Sequence, residues 1–124
     1  MDELDFIRKL KGRVAYLTLL RYDGFDYKEV TGDGYKRLPI IFNDIYFDVT
    51  DGINEGWFNK VQLSFNTSKS DWGRVDAMGI CEDNLSKNGY IKEFSNPIYI
   101  EKDTQLSFLK GDIKIIYPKI KTFY

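Results

Sequence analysis

Histidine is absent from this sequence, and cysteine occurs once, at Cys81. The absence of histidine removes the side chain that most often acts as a general base and as a metal ligand. A single cysteine can form neither an internal disulfide nor a zinc site built from several thiolates. Carboxylates, lysines and hydroxyls are all that remain for chemistry. The composition therefore predicts a protein that is not an enzyme and holds no metal or cofactor.

The chain also has little net charge and no long apolar run. Its 18 Lys and Arg residues against 19 Asp and Glu residues leave a net charge of −1. This balance disfavours a general electrostatic affinity for nucleic acid or acidic membranes. No apolar stretch approaches the roughly 20 residues of a membrane span, and no signal-peptide pattern opens the chain. We predict a soluble protein made in the cytoplasm, with neither nucleic acid nor a membrane as partner.

Length and composition predict one domain covering residues 1–124. The chain is 43% apolar and 30% charged, and a chain of this size buries roughly two-thirds of its surface on folding, which is enough for one core. Residues 1–12 have acids first and bases last, an order that suits the helix dipole, and Gly12 is a typical helix stop. We predict a short amphipathic helix there. Its apolar stripe of Phe6, Ile7 and Leu10 is expected to dock on the rest of the fold rather than on a membrane.

Short segments with strand character follow the helix, separated by turn residues about every 8 to 12 residues. This spacing is expected of an all-β sandwich or jelly roll. The segments are 14–20, 35–42, 45–49, 61–65, 74–81, 89–94, 98–100, 105–108 and 113–117. Residues 29–34 are predicted as a turn, 50–56 as a polar connection and 119–124 as a C-terminal tail. We predict a single antiparallel β-sandwich or jelly-roll domain with a short N-terminal helix.

Five residues are predicted to shape structural turns. Gly32 and Gly34, followed by Tyr35, are able to take the positive φ that other residues avoid. Trp72 and Gly73 stand just before a strand. A binding module would expose Trp72 to stack on a sugar, but the favoured interpretation is that it closes the core, with its N–H satisfied by the turn.

Four aromatic residues are predicted as contacts with partners. Trp57 and Phe58 lie beside a glycine in the polar connection, and Phe123 and Tyr124 end the chain. None of the four is needed for an obvious core position. The lone Cys81, at the end of an apolar strand, is interpreted as a small buried hydrophobic residue.

Carboxylates offer two further hypotheses, and both are disfavoured. A calcium site could be assembled from four acidic residues, but their spacing matches no calcium loop, and Asp in turns usually bonds the nearby backbone. The four are Glu29, Asp33, Asp48 and Asp51. Glu82 and Asp83 suggest a glycosidase pair, but adjacent residues on a turn do not flank one substrate bond.

The order of these turns and strands carries a resemblance. A short helix precedes a Tyr-Leu-x-Leu strand, then Glu-Val-x-Gly-x-Gly-Tyr-x-Arg, then Asp-Trp-Gly-x-Val, and finally a Gly-Asp-x-Leu-x-Phe segment with an alternating strand. The matching segments here are 16–19, 29–37, 71–75, 102–108 and 111–115. The pattern resembles a family of small bacteriophage virion proteins labelled tail-fibre or head-fibre proteins. It covers about residues 5–118 and departs from the family in the short helix, the aromatic insert at 54–58 and Lys102 in place of glycine.

The resemblance implies a structural protein of a phage virion, a fibre-base or decoration subunit on the head, neck or tail. Its partners would be other copies of itself, as a homotrimer, and other virion proteins. The composition agrees with assembly, because 16% aromatic residues exceed the needs of one small core and aromatics are enriched at interfaces. The alternative is a tail-tip receptor- or carbohydrate-binding module, which predicts exposed aromatics in a groove beside Asp or Asn. A glycan-cleaving enzyme would instead need two converging carboxylates about 5 to 10 Å apart.

Overall fold

A computed structural model describes residues 3–42, 47–49 and 54–118. These residues form antiparallel β-sheets with one short N-terminal helix, which confirms the predicted all-β, sandwich-like fold class. The elements are α1 (Glu3–Lys9), β1 (Val14–Tyr22), β2 (Tyr27–Glu29), β3 (Leu38–Ile41), β4 (Phe47–Val49), β5 (Asn54–Asn59), β6 (Leu63–Ser64), β7 (Gly73–Cys81), β8 (Tyr90–Ile100), β9 (Ser107–Phe108) and β10 (Lys114–Pro118).

The largest sheet is organised around β1. Strand β7 pairs with one edge of β1 and is followed by β8, whereas β2 and β3 both pair with the other edge. Because β2 pairs with residues 20–22 and β3 with residues 14–17, these two short strands lie end to end. Two smaller sheets have the orders β10-β5-β4 and β6-β9.

Strand β1 is buried on both of its faces. Four consecutive residues of β1, from Leu17 to Leu20, are fully buried, although successive side chains of a strand point to opposite faces. Helix α1 closes part of this core: Phe6, Ile7 and Leu10 are all buried, which confirms the predicted docking stripe. The largest fully buried side chains are Phe65, Ile7, Leu10, Leu17, Leu19, Leu20, Met78, Ile80, Ile100, Ile113, Ile115 and Val75.

Residues 54–56, predicted as part of a polar connection, and Glu29, predicted as the start of a turn, belong to strands. Residues 54–56 belong to β5, the middle strand of a three-stranded sheet, and not to a polar connection. Residues 27–29 form β2, a hairpin partner of β1, so the predicted turn begins only after Glu29. In both places pairing with neighbouring strands supplies the backbone hydrogen bonds, and this context overrides weak local β-propensity.

Other boundaries also differ from the prediction. The described helix ends at Lys9 rather than at residue 12, because residues 10–12 form a turn in which Gly12 has a φ of 77°. Of the predicted strand 61–65, only Leu63–Ser64 is paired. The predicted strands 89–94 and 98–100 are one continuous strand, β8, with an irregularity between them. The predicted tail, 119–124, lies outside the described residues.

Candidate functional site

The five residues predicted to shape turns meet at one end of the large sheet. Trp72 is 2% exposed, and its Nε1–H donates to the carbonyl of Asp33 at 3.0 Å. The ring of Tyr35 meets Trp72 edge-on, with centroids 5.4 Å apart. Trp72 passes so close to Gly32 that a Cβ there would lie 3.0 Å from Nε1 and nearer still to Cδ1. Trp72 is therefore a core residue fixed by the turn, not an exposed platform.

The glycines next to this indole have backbone conformations that favour glycine. Gly34 has a φ of 87° and Gly73 a φ of 81°. A Cβ at Gly34 would stand 3.0 Å from the carbonyl oxygen of Thr67, and one at Gly73 would stand 2.7 Å from Nη2 of Arg21. That guanidinium is held where it is by hydrogen bonds to the carbonyls of Trp72 and Arg74. The turn is thus tied to strand β1.

The packing around Gly34 makes a testable prediction. Gly34 and Gly111 have almost the same φ, 87° and 84°, but no atom lies within 4 Å of a Cβ built at Gly111. We expect Gly111→Ala to cost about 1 kcal/mol, from backbone strain alone, and Gly34→Ala to cost about 2–3 kcal/mol, because its methyl also presses on the Thr67 carbonyl. Urea unfolding midpoints measure both. Equal losses would contradict the close packing of this turn.

Glu29, one of the carboxylates considered for calcium, is engaged by neighbouring side chains. Its Oε2 accepts a hydrogen bond from the Tyr35 hydroxyl at 2.6 Å, and its Oε1 pairs with Arg37 at 2.9 Å. The other arm of Arg37 donates to the carbonyls of Asp83 and Ser86. Burial, followed by the bond to Glu29, raises the pKa of Tyr35 above its usual value. Through Arg37, Glu29 at the end of β2 is therefore linked to the turn at residues 83–86.

The remaining carboxylates of that hypothesis do not join Glu29 in the described structure. Asp33 contributes backbone atoms: its N–H donates to the Ser70 hydroxyl and its carbonyl accepts from Trp72. The side chain of Asp48 and all of Asp51 lie outside what the structure describes. Within the described part of the chain, no group of three or more His, Cys, Asp or Glu residues is placed to hold a metal ion.

The predicted contact residues are only partly described. Trp57 and Phe58 lie on β5, between β4 and β10, and Phe58 is half-buried. The side chain of Trp57 and residues 123–124, predicted as contacts through Phe123 and Tyr124, lie outside the described part of the structure. Cys81 is fully buried, burial raises the pKa of its thiol, and its Sγ donates to Asn88 Oδ1 at 3.2 Å.

An open groove of about 490 Å³ lies across the large sheet at the end where β1 turns into β2. It is lined by Tyr22, Tyr27, Arg74, Asp76, Glu93, Phe94, Pro97 and Tyr99. Tyr22 and Tyr27 are directly opposite each other in the β1–β2 hairpin, with ring centroids 5.2 Å apart. Tyr99 is 67% exposed and pairs across the strands with Arg74. We call this surface the tyrosine groove.

An irregularity in β8 forms one wall of the tyrosine groove. Ala77 of β7 pairs with Glu93, but Val75, two residues away, pairs with Ile98. Residues 94–97 of β8 therefore stand opposite Asp76 alone, and the extra residues bulge out of the ladder. Such bulges redirect side chains and are over-represented beside functional sites. Here the bulge brings Phe94 and Pro97 to the groove.

Charged side chains with defined hydrogen bonds complete the groove. Asp76 Oδ2 accepts from the backbone N–H of Tyr22 at 2.9 Å and from Arg74 Nε at 3.0 Å. The backbone bond is the main reason that the pKa of Asp76 is lowered. The Tyr27 hydroxyl donates to Glu93 Oε1, and this bond is the first cause that raises the pKa of Tyr27 to about 12. At neutral pH Asp76 is therefore ionised and the Tyr27 hydroxyl is protonated.

Two exposed turns repeat one local design. In residues 23–26, the Asp23 turn, Oδ1 of Asp23 accepts from the N–H of Phe25 and of Asp26. In residues 83–86, the Asp83 turn, Oδ1 of Asp83 accepts from the N–H of Leu85 and of Ser86. These backbone bonds are the largest causes that lower the pKa of each aspartate. Each turn presents a large apolar residue at its third position.

Those apolar residues are almost completely exposed: Phe25 is 95% exposed and Leu85 is 93% exposed. The Asp23 turn follows the end of β1, and the Asp83 turn follows the end of the antiparallel strand β7. The two turns therefore lie at opposite ends of the sheet, about 30 Å apart by the length of a nine-residue strand.

Sequence reasoning did not single out the tyrosine groove or the two exposed apolar residues. A signal for the hairpin exists, because Tyr22 and Tyr27 flank a short Asp- and Gly-containing turn. A signal for the turns exists too, in Asp followed two residues later by Phe or Leu. The groove depends in addition on the bulge in β8, whose size no local pattern specifies.

No family model, curated protein or solved structure matches this chain. None of the described helices is long and apolar enough to cross a membrane.

Proposed function

We propose that this protein is a structural subunit of a bacteriophage virion, a fibre-base or decoration subunit on the head, neck or tail, and not an enzyme. In this proposal it is made in the host cytoplasm, assembles as a homotrimer and contacts other virion proteins. The sequence resemblance motivates the phage assignment. The observation that carries the assembly role is the pair of matching turns that present Phe25 and Leu85 at opposite ends of the sheet.

Fixed turns are suited to making contacts. Each aspartate holds two backbone N–H groups, so the turn is ordered before any partner arrives and less conformational entropy is lost on association. A single exposed apolar side chain needs no explanation. Two that are held by the same hydrogen-bonding arrangement, each more than nine-tenths exposed, favour a role in binding.

The position of the two turns allows copies to join head to tail. Different apolar groups at opposite ends of one subunit make a head-to-tail contact, which closes into a ring when the rotation between copies allows it. A trimer is the smallest such ring that is not a two-fold dimer. The net charge of −1 offers little repulsion between copies.

The assembly role is tested by changing both turns together. We expect the unchanged protein to scatter light as a trimer of the 14.6 kDa chain, and the Phe25→Ser/Leu85→Ser double variant to scatter as a monomer with an unchanged circular dichroism spectrum. The fold should be kept because neither side chain contributes to the core. Leu109→Ser, at a residue that is 59% exposed in another turn, is the matched control and should remain trimeric.

Two results would contradict the assembly role: a monomeric unchanged protein at micromolar concentration, or a double variant that remains trimeric. The virion assignment has its own test. Antibody against this protein, applied to particles of a phage that encodes it, should label a defined position on the head, neck or tail in electron micrographs. Unlabelled particles, with the antibody signal confined to the lysate, would refute it.

A further inference from the structure

We propose that the tyrosine groove binds a neutral oligosaccharide. The groove adjoins the Asp23 turn, which Tyr22 and Tyr27 flank, but residues 23–26 do not line it, and the proposal does not rest on the assembly role. The groove has a volume of about 490 Å³, within the range of about 300–1,000 Å³ that is typical of ligand clefts. Its lining combines exposed aromatic rings with a few fixed polar groups.

The aromatic rings supply flat apolar surfaces at both sides of the groove. Tyr22 is 44% exposed and Tyr99 is 67% exposed, although large aromatic side chains usually bury most of their surface. An aromatic ring has a negative face, which attracts the weakly positive C–H groups on one side of a hexose. The Tyr22 hydroxyl donates to the Gly24 carbonyl and the Tyr27 hydroxyl donates to Glu93. Their oxygens are left to accept from sugar hydroxyls, because a phenol is both donor and acceptor.

The charged groups leave donors and acceptors available side by side. Asp76 and Glu93 each use one carboxylate oxygen in the bonds described above, and Arg74 uses Nε and Nη2. Within the described residues, Asp76 Oδ1, Glu93 Oε2 and Arg74 Nη1 make no hydrogen bond to protein. A sugar hydroxyl donates and accepts at once, so adjacent hydroxyls satisfy a carboxylate oxygen and a guanidinium N–H together.

The same charges disfavour other ligands. Two carboxylates against one guanidinium give the groove a net negative charge, which repels the phosphates of nucleic acids and the acid groups of uronic or sialic acids. A quaternary ammonium ion would be attracted by the aromatic rings and by the two carboxylates. However, it has no group that accepts a hydrogen bond from Arg74, so the guanidinium would be left without a partner in the ligand.

The groove is also positioned by rigid elements. Tyr22 and Tyr27 are on a hairpin whose turn is fixed by Asp23, and Asp76 is bonded to the backbone of β1. Binding sites held on strands need little rearrangement when the ligand arrives. The bulge in β8 adds a wall that an unbroken strand would lack.

The test uses saturation-transfer NMR and calorimetry with a panel of neutral di- to tetrasaccharides built from glucose, galactose, mannose and N-acetylglucosamine. We expect saturable binding of at least one member, and at least a tenfold loss of affinity in Tyr99→Ala and in Asp76→Asn. Leu109→Ala removes an apolar side chain that is 59% exposed but lies outside both the groove and the two Asp turns, so it should bind as the unchanged protein does.

Three outcomes would overturn the proposal. The first is that no sugar in the panel binds at millimolar concentration. The second is that Tyr99→Ala, with an unchanged melting temperature, binds as well as the unchanged protein. The third is that choline or an acidic oligosaccharide of the same length binds more tightly than every neutral sugar. Light scattering of the same samples reports assembly separately, so failure of the groove and failure of the assembly role are distinguished.

Discussion

Replacing Trp72 by alanine should cost about 3–5 kcal/mol of the free energy of unfolding, as expected for a large aromatic residue removed from a core. Trp72 is 2% exposed and contacts both Gly32 and Tyr35. Its loss also removes the donor to the Asp33 carbonyl. For a domain of this size the melting temperature should fall by about 12–20 °C, measured by circular dichroism.

The control for Trp72→Ala is Phe25→Ala, which also truncates an aromatic residue. Because Phe25 is 95% exposed, its loss should change stability by no more than about 0.5 kcal/mol in a monomer. The comparison is made at a concentration where both variants are monomeric. A loss below about 1 kcal/mol for Trp72→Ala would show that the turn cluster is not part of the core.

Gly79→Ala is expected to have the second-largest effect, about 3 kcal/mol, from overpacking and from an unpaired buried hydroxyl. Gly79 lies within β7 and its φ is not positive. Glycine is therefore required here by the lack of room for a side chain and not by the backbone conformation. A Cβ there would lie 2.5 Å from the Thr18 Oγ1 and closer still to Asn88 Oδ1. Thr18 is fully buried and donates to Asn88 at 2.6 Å, so the methyl would break this bond.

A double-mutant cycle isolates that clash. Asn88→Ala removes the amide that a methyl at Gly79 would strike, so the Gly79→Ala/Asn88→Ala variant should lose at least about 1 kcal/mol less than the sum of the single losses. Additive losses in the cycle would mean that residues 79 and 88 do not compete for the same space. Urea unfolding measures all four.

Local sequence patterns were sufficient where a residue's role depends on its immediate neighbours. The amphipathic stripe of α1 predicts the burial of Phe6, Ile7 and Leu10, because helix periodicity alone selects them. The positive φ of Gly34 and the buried state of Trp72 were expected from a turn next to a strand. In each case the deciding interactions lie within a few residues or follow from hydrophobicity.

Patterns failed where the role depends on how distant strands are aligned. The bulge opposite Asp76 arises from the offset between two registers of the β7–β8 ladder. The predicted break between strands 89–94 and 98–100 marks its position, but nothing in residues 94–97 specifies the size of the offset. The tyrosine groove needs this bulge together with the β1–β2 hairpin, so Tyr22 and Tyr99 could not be brought together from sequence alone. Residues 54–56 were missed for the same reason, because their strand is defined by two partners far along the chain.

The end-to-end placement of β2 and β3 has a consequence for solubility. An uninterrupted edge strand exposes a row of N–H and C=O groups that can recruit a strand from another molecule and seed aggregation. Here the outer strands on one side have three and four residues, and one contains Pro39, which has no N–H to offer. Between them the Leu19 N–H is capped by the Tyr35 hydroxyl at 3.1 Å.

The opposite side of the sheet is protected in a different way. It ends in β8, whose bulge and Pro97 interrupt the row of backbone groups, and bulges twist an edge away from a regular partner. Neither side of the large sheet thus offers a long, flat template for β-addition within the described residues. Along the large sheet, side chains rather than exposed backbone therefore determine which surfaces of two copies can join.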